Sequence, residues 1–195
     1  MLDTEQDLFE HELRDVYDAE KKLVRTLESM ANKVTDETLS SSISDHRATT
    51  RDQVKRLEQV FKLLDKKPRR EPCRGINGLL NEFTKFVKEE PSDQVLNIFA
   101  VGAGLKIEQY EIVAYQSLLR LAQQLGMPEA RDLLTQNLME EEATAVQLEA
   151  LADQLGGSLT PAADEPVVMP AAMDEEVVVV LAEEQTSGRP TEPPL

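Results

Sequence analysis

The chain has 195 residues, with 37 acidic side chains against 21 basic ones and a formal net charge of -16. That length suits one domain, or one domain with a tail, and is ample for a sizeable core. So acidic a chain is repelled by nucleic acid and by anionic membrane surfaces, and no apolar run approaches the ~18–20 residues a membrane span needs. The N-terminus, MLDTEQDLFEHELRD, lacks the basic-then-apolar order of a secretory signal. The lone Cys73 excludes an internal disulfide framework and fits a reducing, cytoplasmic compartment. Aromatics are 4% of the chain and Trp is absent, so the core must be aliphatic.

The first 67 residues contain no proline, which permits long early helices. Apolar residues at heptad-like spacing predict a first helix from about Asp7 to Lys33, carrying Phe9, Leu13, Val16, Leu23, Leu27 and Met30. Thr35-Asp36 breaks the pattern and offers a cap for a second helix, about Glu37 to Lys66. The basic loop KKPRREPCRG follows, then a short amphipathic stretch from Ile76 to Lys88. That loop is expected to form salt bridges with neighbouring helices. Pro91-Ser92 restarts the chain into a long helix from about Ser92 to Leu125, ended by Gly126-Met127-Pro128. A last long helix runs from about Pro128 to Leu155. Four long amphipathic helices and one short one predict an all-α, antiparallel four-helix bundle over residues 1–157. The short helix falls between helices two and three, where it suits a crossover running the length of the bundle. Residues 158–195 are acidic and hold six of the ten prolines, the composition of a disordered tail. Within it, four valines between acids (Val177–Leu181) favour an extended strand.

The informative feature is what interrupts each apolar stripe. Helix one reads 9, 13, 16, 20, 23, 27, 30 and is apolar except at Glu20. Helix three reads 98, 101, 105, 108, 112, 115, 119 and is apolar except at Glu108; helix four reads 134, 138, 141, 145, 148, 152, 155 and is apolar except at Glu141. Helix two turns polar at His46, Thr50 and Gln53. Each interruption lies near its helix midpoint, and helices of similar length packed side by side bring their midpoints to one level. The expectation is a shared polar layer inside the core, with Glu111 and Thr144 one turn from Glu108 and Glu141 and facing the same level. One glutamate in a stripe is usually an edge residue reaching solvent, but three at matching depth need protons, cationic partners or a metal. Facing carboxylates are the usual way a bundle builds a two-metal site. Tyr17 and Tyr115 stand near enough in sequence to hydrogen-bond these carboxylates or to serve as packing. Of Glu140, Glu141 and Glu142, at most two can point inward.

Four segments carry a family resemblance: LFEHELRDVYDAEKKL in helix one, HRATTRDQVKRLEQVF in helix two, EQYEIVAYQSLLRLAQQLG in helix three and LLTQNLMEEEATAVQLEALA in helix four. Together they resemble the YciE/YciF-like branch of the ferritin-like superfamily over about residues 5–155. The resemblance implies a ferritin-like bundle, pairing into homodimers, a link to stress response and a dinuclear metal site. Carried over, the site acids are Glu20, Glu108, Glu111 and Glu141, with His46 and Gln53 as weak additions. The departures are Thr49 where relatives commonly have an acid, Gln53 and Gln109 where they often have His, and Ala145 where Asp is frequent. No Glu-x-x-His pair occurs, whereas a ferritin-like site wants about six ligands including such pairs. The oxygen-rich set suits manganese or iron(II). The expectation is a degenerate site that holds one ion, two weakly, or none.

Two functions compete on this reading. One is a metal-binding protein, an oxidoreductase handling iron or peroxide. The other is a metal-free interaction bundle that acts through its dimer face and its tail, with Val177–Leu181 added as a strand to a protein partner. No Walker loop, G-x-G-x-x-G or ordered catalytic triad supports a nucleotide-binding or hydrolase reading.

Overall fold

The computed structural model describes residues 2–156, and its regular structure there is entirely helical. The expected tail with its valine run lies outside the described residues. The helices are α1 (Glu5–Ala31), α2 (Glu37–Leu63), α3 (Arg74–Val87), α4 (Asp93–Gln124) and α5 (Pro128–Gly156), within two or three residues of the predicted bounds.

Local chemistry sets the ends. Thr4 caps α1 reciprocally with Asp7, and the Asp36 side chain accepts from Leu39 N at 2.8 Å to open α2. Gly126, at φ +65°, takes the left-handed conformation that lets α4 stop and Pro128 start α5 two residues later.

Topology follows from the contacts. Thr35 N, just before α2, donates to Asn97 Oδ1 near the start of α4 at 2.9 Å, so α2 and α4 begin at the same end. The connection from Leu64 to Ser92 therefore travels the length of the bundle, with α3 packed against α4. The adjacent pairs α1/α2, α4/α5, α1/α4 and α2/α5 all run antiparallel, as the expected crossover requires. Part of that connection is pinned by Asp18, buried on α1, which accepts from Arg70 Nε (2.7 Å) and Cys73 N (2.9 Å) and pairs with Lys22. The basic loop thus forms salt bridges with its neighbour, as its composition suggested.

The α1 stripe is buried as read, at residues 9, 13, 16, 20, 23, 27 and 30; the α2 stripe is buried at 39, 43, 46, 50, 53, 57 and 60, but its last member, Leu64, is half-buried just past the helix end. The α4 stripe needs correction. Ile98, Leu105 and Leu119 are only half-buried, while Leu96, Ala100, Ile107, Leu118 and Ala122 are buried. This 32-residue helix faces α5, α1 and α3 at once, so its apolar surface is broader than one heptad seam.

The apolar core is two clusters, not one. One holds Leu23, Leu27, Leu39, Ile43, Val101, Ile107 and Leu148; the other holds Phe9, Leu13, Val54, Leu57, Tyr115, Leu118 and Leu134. The break between them falls at Glu20 on α1, His46–Gln53 on α2, Glu108–Glu111 on α4 and Asn137–Thr144 on α5. That is the level at which the stripes turn polar.

Candidate metal centre

The layer forms because each long helix places a polar side chain where its stripe passes mid-bundle. Glu20, Gln53 and Glu141 have no solvent exposure, and Glu108, Glu111 and His46 are buried beside them. One ligand atom from each of His46, Glu108, Glu111 and Glu141 lies within 4.8 Å of all the others. His46 Nε2 is 3.2 Å from Glu108 Oε1 and 3.9 Å from Glu141 Oε2.

Polar bookkeeping singles out the same residues. Among the described residues, nine buried side-chain nitrogen and oxygen atoms lack a hydrogen-bond partner, and all belong to Glu20, His46, Gln53, Glu108, Glu111 and Glu141. Both oxygens of Glu111 and of Glu141 are among them. Buried polar groups are normally paired, and each orphan costs about 1–3 kcal/mol, more when charged. A concentration of orphans in one layer marks a place shaped for something that supplies the missing partners.

Electrostatics agree. Burial pushes Glu20, Glu111 and Glu141 well above the ordinary carboxylate range, and repulsion from neighbouring glutamates adds to each shift. Burial raises Glu108 to about 7, with the adjacent Glu141 carboxyl opposing the rise. In the metal-free protein the layer therefore holds protons at neutral pH. A dication replacing them would supply positive charge to every orphaned oxygen.

Surrounding groups orient the layer. The Tyr115 hydroxyl donates to Glu20 Oε1 and accepts from Asn137 Nδ2 at 2.9 Å. Asn137 Oδ1 in turn accepts from Arg56, which also forks onto Glu140. Thr144 fixes the His46 tautomer. Its hydroxyl has one proton, donated to the Glu140 carbonyl at 3.0 Å. With its proton so placed, its oxygen accepts from His46 Nδ1, 3.2 Å away. With Nδ1 protonated, a neutral His46 keeps its lone pair on Nε2, the nitrogen that faces Glu108 and Glu141.

The sequence-derived set is thus gathered in one layer, with differences in role. His46, Glu108, Glu111 and Glu141 form the tight group. Glu20 lies outside that 4.8 Å set, and Tyr115 holds one of its oxygens. Gln53 is fully buried beside Glu141, and its amide favours the charged form of that carboxyl. Of the two tyrosines, Tyr115 does bond a buried carboxylate. Tyr17 does not: its hydroxyl donates to Glu58 at 2.9 Å, because residue 17 faces α2 rather than the layer. In the run 140–142, Glu141 points inward, Glu140 pairs with Arg56 and Glu142 is exposed. Asn137 went unread in the sequence, although it stands one turn before Glu141 and that spacing was available as a signal.

These findings agree with comparisons to known proteins. Residues 4–158 match the family described as a domain of unknown function, DUF892. Protein YciF of Escherichia coli K12 is 36% identical over 152 residues, 77% of this chain and 92% of that protein. The crystal structure of the E. coli stress protein YciF superposes with a TM-score of 0.77, covering 80% of this chain and 98% of that one at 35% identity. YcfI from Rhodopseudomonas palustris superposes at 0.75, covering 76% and 94% at 36% identity. An Anabaena variabilis protein with DJ-1/ThiJ/PfpI-like and ferritin-like domains matches at a TM-score of 0.59 and 15% identity, covering 87% of this chain and 42% of that one, a likeness of fold. With five helices in this order and these relatives spanning most of its length, the chain belongs to the DUF892, YciF-like family and has the ferritin-like fold.

Proposed function

We propose that this protein binds iron(II) or manganese(II) in the mid-bundle layer and serves as a stress-associated oxidoreductase acting on iron or peroxide. The observation that carries this is the confinement of the nine orphaned buried atoms to six side chains of one layer. The donor set fits the group: carboxylates with one imidazole are hard, mostly oxygen ligands, and no thiolate is among them. Glu108, Glu111, Glu141 and His46 would hold the first ion. Glu20 and Gln53 are the remaining donors for a second, which makes any dinuclear site leaner than one with two Glu-x-x-His pairs. Bound iron or manganese would supply one-electron chemistry with dioxygen or peroxide. The chain's own contribution is to bury the layer between two apolar clusters, to present His46 through Nε2, and to hold Glu20 in place through Tyr115 and Asn137. The stress association rests on the description of E. coli YciF as a stress protein.

The test is anaerobic loading followed by desalting and elemental analysis. About one to two equivalents of iron or manganese are expected, and Glu111→Ala with Glu141→Ala should abolish the uptake. Wild-type protein emerging metal-free would overturn the proposal.

The second reading is a metal-free bundle that associates through its surface as a homodimer, with residues 177–181 engaging a protein partner. It is favoured by Met139 and Val146, one heptad apart on α5 and each about two-thirds exposed. Its signature is a melting temperature that neither chelator nor added metal moves, together with a dimer that Met139→Lys with Val146→Lys dissolves.

A further inference from the structure

The polar layer is not sealed by tight packing on every side. A narrow cavity of about 20 Å³ has His46, Glu108 and Thr144 among its lining residues. By the ≳ 10–15 Å³ that a single water requires, it has room for one small molecule. Of its lining residues His46 and Glu108 are buried, while Ser42 and Gly104 are half-buried. The apolar part of the wall is made by Leu27, Met30, Ile43, Ala100, Ile107 and Leu148.

Two features show how its width is set. Gly104 sits in the interior of α4, where glycine weakens a helix. A Cβ placed there would meet Leu148 Cδ1 at 3.0 Å, so any larger residue would force Leu148 to give way. The glycine and the Leu148 side chain are thus in contact, and both line the cavity. The chemistry of the wall selects the occupant. An anion would meet Glu108. Water and peroxide would find hydrogen-bond partners only at Ser42, His46, Glu108 and Thr144 and would face aliphatic carbon on the rest of the wall. A small apolar molecule has no such penalty.

We propose that this cavity admits and holds one small, uncharged, apolar molecule of the dioxygen class beside His46 and Glu108, and that Gly104 and Leu148 set its width. The identification of the occupant as a reactant rests on the metal-binding reading of the layer; the existence and selectivity of the cavity do not.

Xenon is the probe, applied under pressure to crystals of metal-free, full-length protein and titrated in solution by the xenon-129 chemical shift. A single xenon against Ile43, Ile107 and Leu148 is expected. Gly104→Val and Leu148→Phe should each lower its occupancy at least tenfold, while Leu148→Ala should retain or raise it. If Gly104→Val fails to fold by circular dichroism, Leu148→Phe decides alone. No xenon in the wild-type cavity, or unchanged occupancy in the filled variants, overturns the proposal. In a second arm, protein loaded anaerobically with iron(II) is exposed to oxygen and the ferric absorbance followed. Slower appearance in the filled variants at unchanged metal content is expected, and an unchanged rate overturns the assignment to dioxygen. Should the wild type take up no metal, the reading of the layer fails, while the xenon result still decides the cavity.

Discussion

Glu108→Gln in the metal-free protein separates a layer of buried, proton-holding carboxyls from ordinary buried polarity. Glu108 faces Glu111 on its own helix, Glu141 on α5, His46 on α2 and Glu20 on α1. Its folded value of about 7, against an ordinary 4.5, means the folded state holds a proton that the unfolded chain releases. Stability from this group is therefore full below about pH 4.5 and is lost as pH rises through 7. At about 1.4 kcal/mol per pH unit per proton, the loss approaches about 3 kcal/mol, of which about 2 kcal/mol falls between pH 5.5 and 7. The amide keeps the shape and has no proton to lose. Chelator-treated Glu108→Gln should consequently exceed the wild type by about 3 kcal/mol at pH 7.5, and the gap should narrow toward pH 5.5. Urea titrations across that range measure it, starting above the isoelectric point of about 4.5 to keep the chain soluble. With iron(II) or manganese(II) present the order should reverse, since the variant has lost a ligand. A wild-type stability that is flat with pH, together with a variant no more stable at pH 7.5, would refute the electrostatic account of the layer.

Tyr115→Phe leaves Glu20 without its donor and removes the nearer of two acceptors of the Asn137 amide, and should cost about 1–3 kcal/mol by thermal or urea melting. Thr144→Val removes the acceptor that fixes His46; metal affinity should fall about 10–100-fold by competitive chelator titration, with the melting temperature of the metal-free protein little changed. Asp18→Ala strips the partner of Arg70, Lys22 and the Cys73 amide and should destabilise by about 2–4 kcal/mol, with proteolysis in the loop 64–73 as the local readout. Burial raises Asp18, but Lys22, the Cys73 amide and Arg70 outweigh it and hold its folded value low. Its contribution is therefore present above the ordinary carboxylate range and lost as pH falls, opposite in sign to that of Glu108.

Much of this protein is legible along one dimension. Periodicity, caps and proline placement give five helices to within two or three residues, because these signals are local and act before any tertiary contact forms. The polar breaks at Glu20, His46–Gln53, Glu108 and Glu141 are legible too, since mid-helix positions of helices of similar length reach one level whatever the packing order. Side-chain direction around that level is another matter. Whether Tyr17 reaches Glu20 or Glu58, whether α4 buries Leu105 or Ile107, and whether Thr144 sets the His46 tautomer depend on helix rotation, which neighbours fix and spacing along the chain does not. Asn137 and its link from Arg56 to Tyr115 exist only because α2 and α5 lie side by side and antiparallel. The cavity beside Gly104 is likewise a property of four helices at once: a glycine is visible in the sequence, but the Leu148 side chain against it and the rest of the wall come from residues distant in the chain.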